Sequence, residues 1–211
     1  MSTGGLVIAI PRGNLFAETL DLLDRLGVST KEIRENERKL VFEDEGILTV
    51  RPSDVPTYVE HGAADLGITG KDVLLEQSER EVYELFDLGY GHCRMIVAAP
   101  AAADPLGEPL RRRGIVRVAT KYPRVAADHF ASTGRQAEIV EVKGSVELAP
   151  VTGLCDAIVD LTATGRTLTE NGLVEREAIA ECTARLIANP VAHKLKAAEI
   201  DAFVARLREL K

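Results

Sequence analysis

The sequence predicts an α/β fold divided into two lobes. Three observations carry that expectation. Short apolar, strand-like segments alternate with amphipathic, helix-like ones along nearly the whole chain, the pattern of βαβ units with largely parallel sheets. Glycines flank Tyr90 at Gly89-Tyr90-Gly91, between two strand-like segments, and a strand-like pattern returns late, beyond Glu181. The chain is therefore expected to cross between lobes twice. That gives one lobe of residues 1–90 plus 181–211, another of residues 91–180, and a ligand cleft between them.

The elements follow in order. Leu6 to Ile10 is a short apolar strand, and a helix with Leu15, Leu20, Leu22, Leu23 and Leu26 on its inner side stops at Gly27. Lys39 to Phe42 and Ile47 to Val50 are two strands joined by an acidic turn. Ser53 or Asp54 caps a helix running to Gly62, Asp65 to Thr69 is a strand, and Gly70 to Glu76 opens another helix. Val82 to Leu88 and Arg94 to Ala99 are strands on either side of the glycine pivot. Helix Pro105 to Arg113, strand Val116 to Thr120, helix Arg124 to Thr133 and strand Glu138 to Val142 continue the alternation, with a short helix after Ser145. Ala157 to Val159 is an apolar strand followed by a turn, and the pattern becomes helical after Leu168. A strand at Arg185 to Ala188 and an amphipathic helix from Ala197 to Leu210, with Ile200, Phe203, Val204 and Leu207 on one face, complete the reading.

Bulk properties exclude several function classes. A net charge of −7 argues against a nucleic-acid surface. The chain has no run of about 18 apolar residues, so no membrane span is expected. Met1 to Ile10 lacks the charged start and long apolar stretch of a signal peptide, which makes a cytoplasmic protein the expectation. The three cysteines, Cys93, Cys155 and Cys182, show no Cys-x-x-Cys spacing and read as reduced thiols. The four histidines have neither helical pairing nor a carboxylate motif, so a protein-built metal site is not expected.

The most informative stretch is Asp156 to Leu168. Its apolar run delivers Asp160 to the end of a strand, and Thr162, Thr164, Gly165, Arg166 and Thr167 form a hydroxyl- and glycine-rich turn before a helix. Backbone N–H groups at a helix start attract an anion, threonine hydroxyls add donors, and glycine lets the backbone approach closely. The ligand this suggests is a sugar phosphate, with phosphate in the turn and ribose hydroxyls on Asp160. The plainer alternative is a strand-to-helix turn with a threonine cap. Neither a P-loop nor a Gly-x-Gly-x-x-Gly fingerprint occurs. The common phosphoribosyltransferase motif has two adjacent acids, and Leu161 fills the second place here.

Other polar groups also sit at strand ends, the edge that faces ligand in parallel α/β sheets. Arg12 follows the first strand, Arg51 follows Val50, and Arg94 enters the second lobe. Lys121 and Tyr122 follow Thr120, and Glu147 lies in Lys143-Gly144-Ser145-Val146-Glu147. Arginine grips pyrophosphate with a bidentate fork that lysine cannot copy. Magnesium would arrive bound to ligand phosphates.

These residues resemble a known family, the catalytic subunit of ATP phosphoribosyltransferase in its short form. The resemblance rests on Ile10-Pro11-Arg12-Gly13, Arg51-Pro52-Ser53-Asp54-Val55-Pro56, the stretch Gly62 to Gly70 and Ala119-Thr120-Lys121-Tyr122-Pro123. Most specific are Lys143 to Pro150 and the phosphate loop through Asn171-Gly172-Leu173. The resemblance implies the two-lobed fold of type II periplasmic binding proteins. It implies that N1 of ATP attacks C1 of phosphoribosyl pyrophosphate, the first step of histidine biosynthesis. Thr162, Thr164, Gly165, Arg166 and Thr167 would then hold the 5-phosphate, and Asp160 and Glu147 the ribose hydroxyls. Lys121 and Tyr122 would contact substrate, and Arg12, Arg51 and Arg94 would meet pyrophosphate or triphosphate, screened by magnesium.

One position departs from the family pattern, because Asn14 stands where an arginine is usual. The resemblance also implies a homo-oligomeric core working with a regulatory subunit similar to histidyl-tRNA synthetase. A non-catalytic small-molecule sensor on the same fold is the competing expectation.

Overall fold

The structure, a computed structural model, describes residues 3, 5–36, 38–101 and 104–210. It divides into two units, one of Met1–Gly91 with Thr183–Lys211 and one of His92–Cys182. In chain order the first unit contains β1 (Ile8–Pro11), α1 (Phe16–Arg25), α2 (Lys31–Glu35), β2 (Val41–Phe42), β3 (Ile47–Val50), α3 (Val55–Glu60), β4 (Leu66–Gly70), α4 (Lys71–Glu76) and β5 (Tyr83–Asp87). The second contains β6 (Cys93–Pro100), α5 (Gly107–Arg113), β7 (Val116–Thr120), α6 (Pro123–Ser132), β8 (Ala137–Glu141), α7 (Leu148–Val151), β9 (Ala157–Thr162), α8 (Arg166–Glu170) and β10 (Leu173–Cys182). The chain then returns to the first unit as β11 (Ala184–Ala188), α9 (Pro190–Leu195) and α10 (Ala197–Glu209).

The first unit is built on a six-stranded sheet in the order β2-β3-β1-β4-β11-β5. β1 runs parallel to β3 and β4, whereas β11 runs antiparallel to both β4 and β5. Alternation along β1 sorts its side chains by face. Ile8 and Ile10 pack with Leu20 and Leu23 of α1 and with Ile200, Phe203 and Leu207 of α10. Ala9 points the other way, into a smaller cluster with Val55 and Val59 of α3 and Ile187 of β11. Gly67 of β4 lies under those valines, and a Cβ there would stand 2.6 Å from Val55 Cγ1 and from Val59 Cγ2.

The second unit has a five-stranded sheet ordered β10-β6-β9-β7-β8. β7 runs parallel to β8 and β9, while β6 is antiparallel to both β9 and β10. Ile96, Ala98, Ala119 and Ile158 share a core with Val146, Leu168 and Leu173. Met95 to Ala99 and Ala157 to Val159 are buried without interruption, as strands covered on both faces require.

α2, β10 and α9 have no counterpart in the sequence expectations, and three further features differ from them. The sheets are mixed, not largely parallel, because β2 and β11 run against their neighbours in the first sheet and β6 against both of its neighbours in the second. α3 takes no side-chain cap from Ser53 or Asp54, since a 3-10 turn at Pro52–Asp54 leads straight into it. The phosphate-loop helix begins at Arg166, earlier than Leu168, because Gly165 adopts φ 74° and turns the chain into α8 one residue after Thr164.

Candidate functional site

The second unit brings one set of predicted residues to a single edge of its sheet. β7, β8 and β9 are parallel, and Thr120 pairs with Val159 in register. Lys121 and Asp160 are therefore the next residues along two neighbouring strands. The Thr120 hydroxyl fixes this corner, donating to the Val159 carbonyl at 2.7 Å and accepting the Tyr122 N–H at 2.8 Å. Lys121 and Tyr122 thus leave β7 in a defined direction. The connection after β8 starts on the same edge, where the Val142 N–H donates to the Thr120 carbonyl at 2.9 Å, and it leads to Glu147 just before α7.

Asp160 is the electrostatic centre of this edge. Its Oδ1 accepts the Leu161 N–H at 2.9 Å. Burial raises the carboxyl above its ordinary range; the Leu161 N–H and the Lys121 charge oppose that shift, and Glu147 adds to it. A carboxyl that feels both a lysine and a second acid can accept hydrogen bonds from sugar hydroxyls while its charge stays balanced.

The loop after β9 follows from its residue types. The Thr162 hydroxyl accepts the Gly165 N–H at 2.9 Å, and the Thr164 hydroxyl accepts the Arg166 N–H at 3.4 Å. Each hydroxyl still has a proton to donate. Thr162 is buried, whereas Thr164 and Thr167 are exposed. Arg166 turns along its own helix to Glu170 at 2.8 Å. The amides of the first turn of α8 lie at the helix start, where no intrahelical acceptor exists for them.

Arg94 reaches this loop through the sheet, because it stands opposite Thr162 on β6 and β9. Its Nη1 pairs with Glu175 Oε1 of β10 at 2.8 Å. Glu175 and Thr120, which hold candidate residues in place, are not among the candidate residues the sequence points to. Thr120 lies within the Ala119-Thr120-Lys121 stretch already singled out. Glu175 belongs to a strand whose run of charges, Glu175-Arg176-Glu177, hides its β character.

The other two predicted arginines belong to the first unit. Arg12 donates from Nε and Nη2 to Thr49 Oγ1 at 3.0 and 2.9 Å, and from Nη2 to the Lys39 carbonyl at 2.7 Å. Its guanidinium also lies 5.9 Å from the Phe16 ring centre. Arg51 is exposed, and its carbonyl accepts the Asp54 and Val55 amides. The turn it begins is fastened to β4 by the Thr69 hydroxyl, which donates to the Pro52 carbonyl at 2.9 Å. Asn14 is exposed in the turn after β1. Among the described residues, no three His, Cys, Asp or Glu side chains stand close enough to hold a metal ion, and no helix is long and apolar enough to cross a membrane.

Comparison with known proteins decides the family. A family model described as ATP phosphoribosyltransferase matches residues 51–209. The ATP phosphoribosyltransferase of Rubrobacter xylanophilus is 50% identical over 204 residues, covering 95% of this chain and 94% of that protein. The chain belongs to the ATP phosphoribosyltransferase family. A solved structure described as the ATP phosphoribosyl transferase HisG:HisZ complex from Thermotoga maritima superposes with a TM-score of 0.79 at 38% identity, covering 97% of this chain and 96% of that one. The periplasmic aliphatic sulphonate binding protein SsuA of Escherichia coli gives a TM-score of 0.61 at 13% identity, covering 97% of this chain and 71% of that one. The latter likeness concerns the fold alone and is that of a type II periplasmic binding protein. The phosphoribosyltransferase family thus shares a scaffold with a periplasmic binding protein, and the scaffold by itself fixes no activity.

Proposed function

We propose that this chain performs its family's reaction, the first step of histidine biosynthesis, with the edge of β7, β8 and β9 holding phosphoribosyl pyrophosphate. Adenine N1 of ATP attacks C1 of the ribose. The N1–C1 bond forms as the C1–oxygen bond to pyrophosphate breaks, with inversion, giving phosphoribosyl-ATP and pyrophosphate. The observation that carries this reading is the gathering of Lys121, Glu147 and Asp160 beside the Thr162–Thr167 loop on one sheet edge.

In this assignment the loop amides, the hydroxyls of Thr162, Thr164 and Thr167, Gly165 and Arg166 take the 5-phosphate. Asp160 and Glu147 accept the ribose hydroxyls, while Lys121 and Tyr122 flank the same sugar. Positive charge develops on the ribose as pyrophosphate departs, and two nearby carboxyl groups stabilise it electrostatically. Arg94 is assigned to the pyrophosphate, exchanging its contact with Glu175 for one with ligand. Arg12 and Arg51 are the candidates in the first unit for pyrophosphate or triphosphate. Of the two, Arg51 makes no ion pair among the described residues, whereas Arg12 already serves Thr49 and Lys39. Magnesium enters on the phosphates, which supply the oxygen ligands it prefers. The Thermotoga maritima structure is a complex of two kinds of subunit, HisG and HisZ, and that supports a second subunit for this chain. In this reading the second subunit is regulatory and similar to histidyl-tRNA synthetase, this chain forms a homo-oligomeric core, and histidine feedback falls on the partner.

The test mixes the purified chain with ATP, phosphoribosyl pyrophosphate, magnesium and pyrophosphatase, with and without that subunit. The ultraviolet absorbance of N1-substituted adenine reports product. Formation in either tube supports the transferase, and the difference between tubes measures dependence on the subunit. Ligand binding by calorimetry with no product in both tubes would replace this reading with that of a sensor.

A further inference from the structure

The chain has three cysteines, and all are thiols in this structure. Two of them face each other. In the antiparallel pair of β6 and β10, Cys93 is the register partner of Cys182, and Arg94 is the partner of Glu181 beside it. Directly opposed residues of an antiparallel pair project from the same face of the sheet, with Cα atoms about 4.5 or 5.5 Å apart according to the type of pair. Both separations fall within the about 4.4–6.8 Å that a disulfide spans. Cys182 is buried and Cys93 partly exposed, so Cys93 is the one of the pair that a small oxidant meets first. Cys155 is buried ahead of β9, and burial pushes its thiol up.

We propose that Cys93 and Cys182 form a redox-sensitive thiol pair that closes into an intrachain disulfide when the protein meets hydrogen peroxide. The Cys93 thiolate attacks peroxide, its S–O bond forming as the O–O bond breaks, and hydroxide leaves to take up a proton as water. Cys93 is then a sulfenic acid. The Cys182 thiolate attacks that sulfur, the S–S bond forms, and a second hydroxide leaves and is protonated to water by the proton given up by Cys182. In sum, two thiols and one peroxide give one disulfide and two waters. The bond would join the two strands that begin and end the second unit, closing residues 93–182 into a covalent ring. It would also lie one residue from Arg94, which stands opposite Thr162 of the loop.

The test treats the reduced full-length chain with hydrogen peroxide, blocks remaining thiols and counts them after denaturation. The expected result is a fall from three thiols to one, reversed by dithiothreitol, with a non-reducing digest joining the Cys93 peptide to the Cys182 peptide. The Cys155→Ala variant should lose both its thiols in the same way, and the Cys93→Ser variant should form no intrachain bond. This readout is independent of the reaction assigned above and needs no substitution at buried Cys182. Three surviving thiols, a bond between two chains, a bond to Cys155, or a sulfinic Cys93 beside an intact Cys182 thiol would each overturn the proposal.

Discussion

The ammonium group of Lys121 lies within Coulombic reach of the Asp160 carboxyl and favours its ionised form, while Glu147 disfavours it. Burial is the largest influence, so the balance leaves Asp160 above its ordinary range. The sign for stability follows from linkage. A carboxyl harder to ionise in the folded protein costs stability where it is charged, and that cost is relieved as pH falls through the raised value. The sign for function is opposite, since a sugar hydroxyl is best received by the charged form. The acid limb of kcat/KM is therefore expected above the pH at which an ordinary aspartate titrates. Lys121→Met should move that limb higher, and Glu147→Gln should move it lower. A pH profile of the three proteins checks both directions.

Asp160→Asn separates the two effects directly. It removes a buried charge, so the melting temperature at neutral pH should hold or rise. It also removes a charge-assisted contact, at a cost of about 1.5–3 kcal/mol in transition-state binding, or roughly ten- to hundred-fold in rate. Loss of stability together with activity would assign Asp160 to the fold and not to ligand.

Within the first unit Arg12 donates to Thr49 and to the Lys39 carbonyl. Arg12→Ala should therefore lower stability by about 1.5 kcal/mol, the scale of hydrogen bonds from a charged donor. Arg12→Lys should recover little of it, because one ammonium cannot copy the fork. Arg51→Ala lacks such partners and should leave the melting temperature within the scatter of surface substitutions. If Arg51 meets phosphate, its loss appears in KM or kcat alone.

Asn189 is buried with its amide fully used. Nδ2 donates to the Val59 and Glu60 carbonyls, and Oδ1 accepts the Val191 and Ala192 amides at the start of α9. Asn189→Ala removes a helix cap and the amide donor to both carbonyls, of which Val59 keeps the Gly62 N–H, for a loss of about 2–4 kcal/mol. Asn189→Asp keeps the cap but sets a carboxylate oxygen against the same two carbonyls in a buried site, and should lose at least as much as the alanine. Denaturant melts of the three proteins rank them.

Two glycines distinguish space from backbone. A Cβ on Gly165 would meet nothing within 4 Å, but its φ of 74° disfavours any L side chain, so Gly165→Ala should cost about 1–2 kcal/mol and Gly165→Asn less. Gly67 has no such φ, and its difficulty is the two valine methyls above it. Gly67→Ala should cost about 1–3 kcal/mol, and trimming Val59 to Ala in the same chain should return part of it. Stability measured on the single and double variants tests the distinction.

The α/β class is legible in the sequence because strand and helix periods alternate in blocks long enough to read. β10 is not legible, since Glu175, Arg176, Glu177 and Glu181 interrupt its apolar positions and its stability comes from pairing with β6. The mixed sheet direction is hidden for the same reason, because strand direction depends on partners distant in sequence. α9 does carry a local signal, Asn189 followed by Pro190, which is the cap-then-proline start of a helix. The Asp160 loop can be read because strand, turn and helix are contiguous. The ion pair of Arg94 with Glu175 spans 81 residues of chain, and no local pattern announces it.

The position of β11 in its sheet has a consequence for how the protein is made. β4 and β5 meet only through β11, which is encoded after the whole of the second unit. On the ribosome, residues 92–182 can complete their sheet as soon as they emerge, because every strand of it is at hand. The earlier-born first unit cannot. Until Ala184–Ala188 is synthesised, the nascent chain holds β4 with an open, apolar edge and β5 with no strand beside it. An edge of that kind is where a growing chain is most exposed to chaperone capture and to mispairing with its neighbours on a polysome.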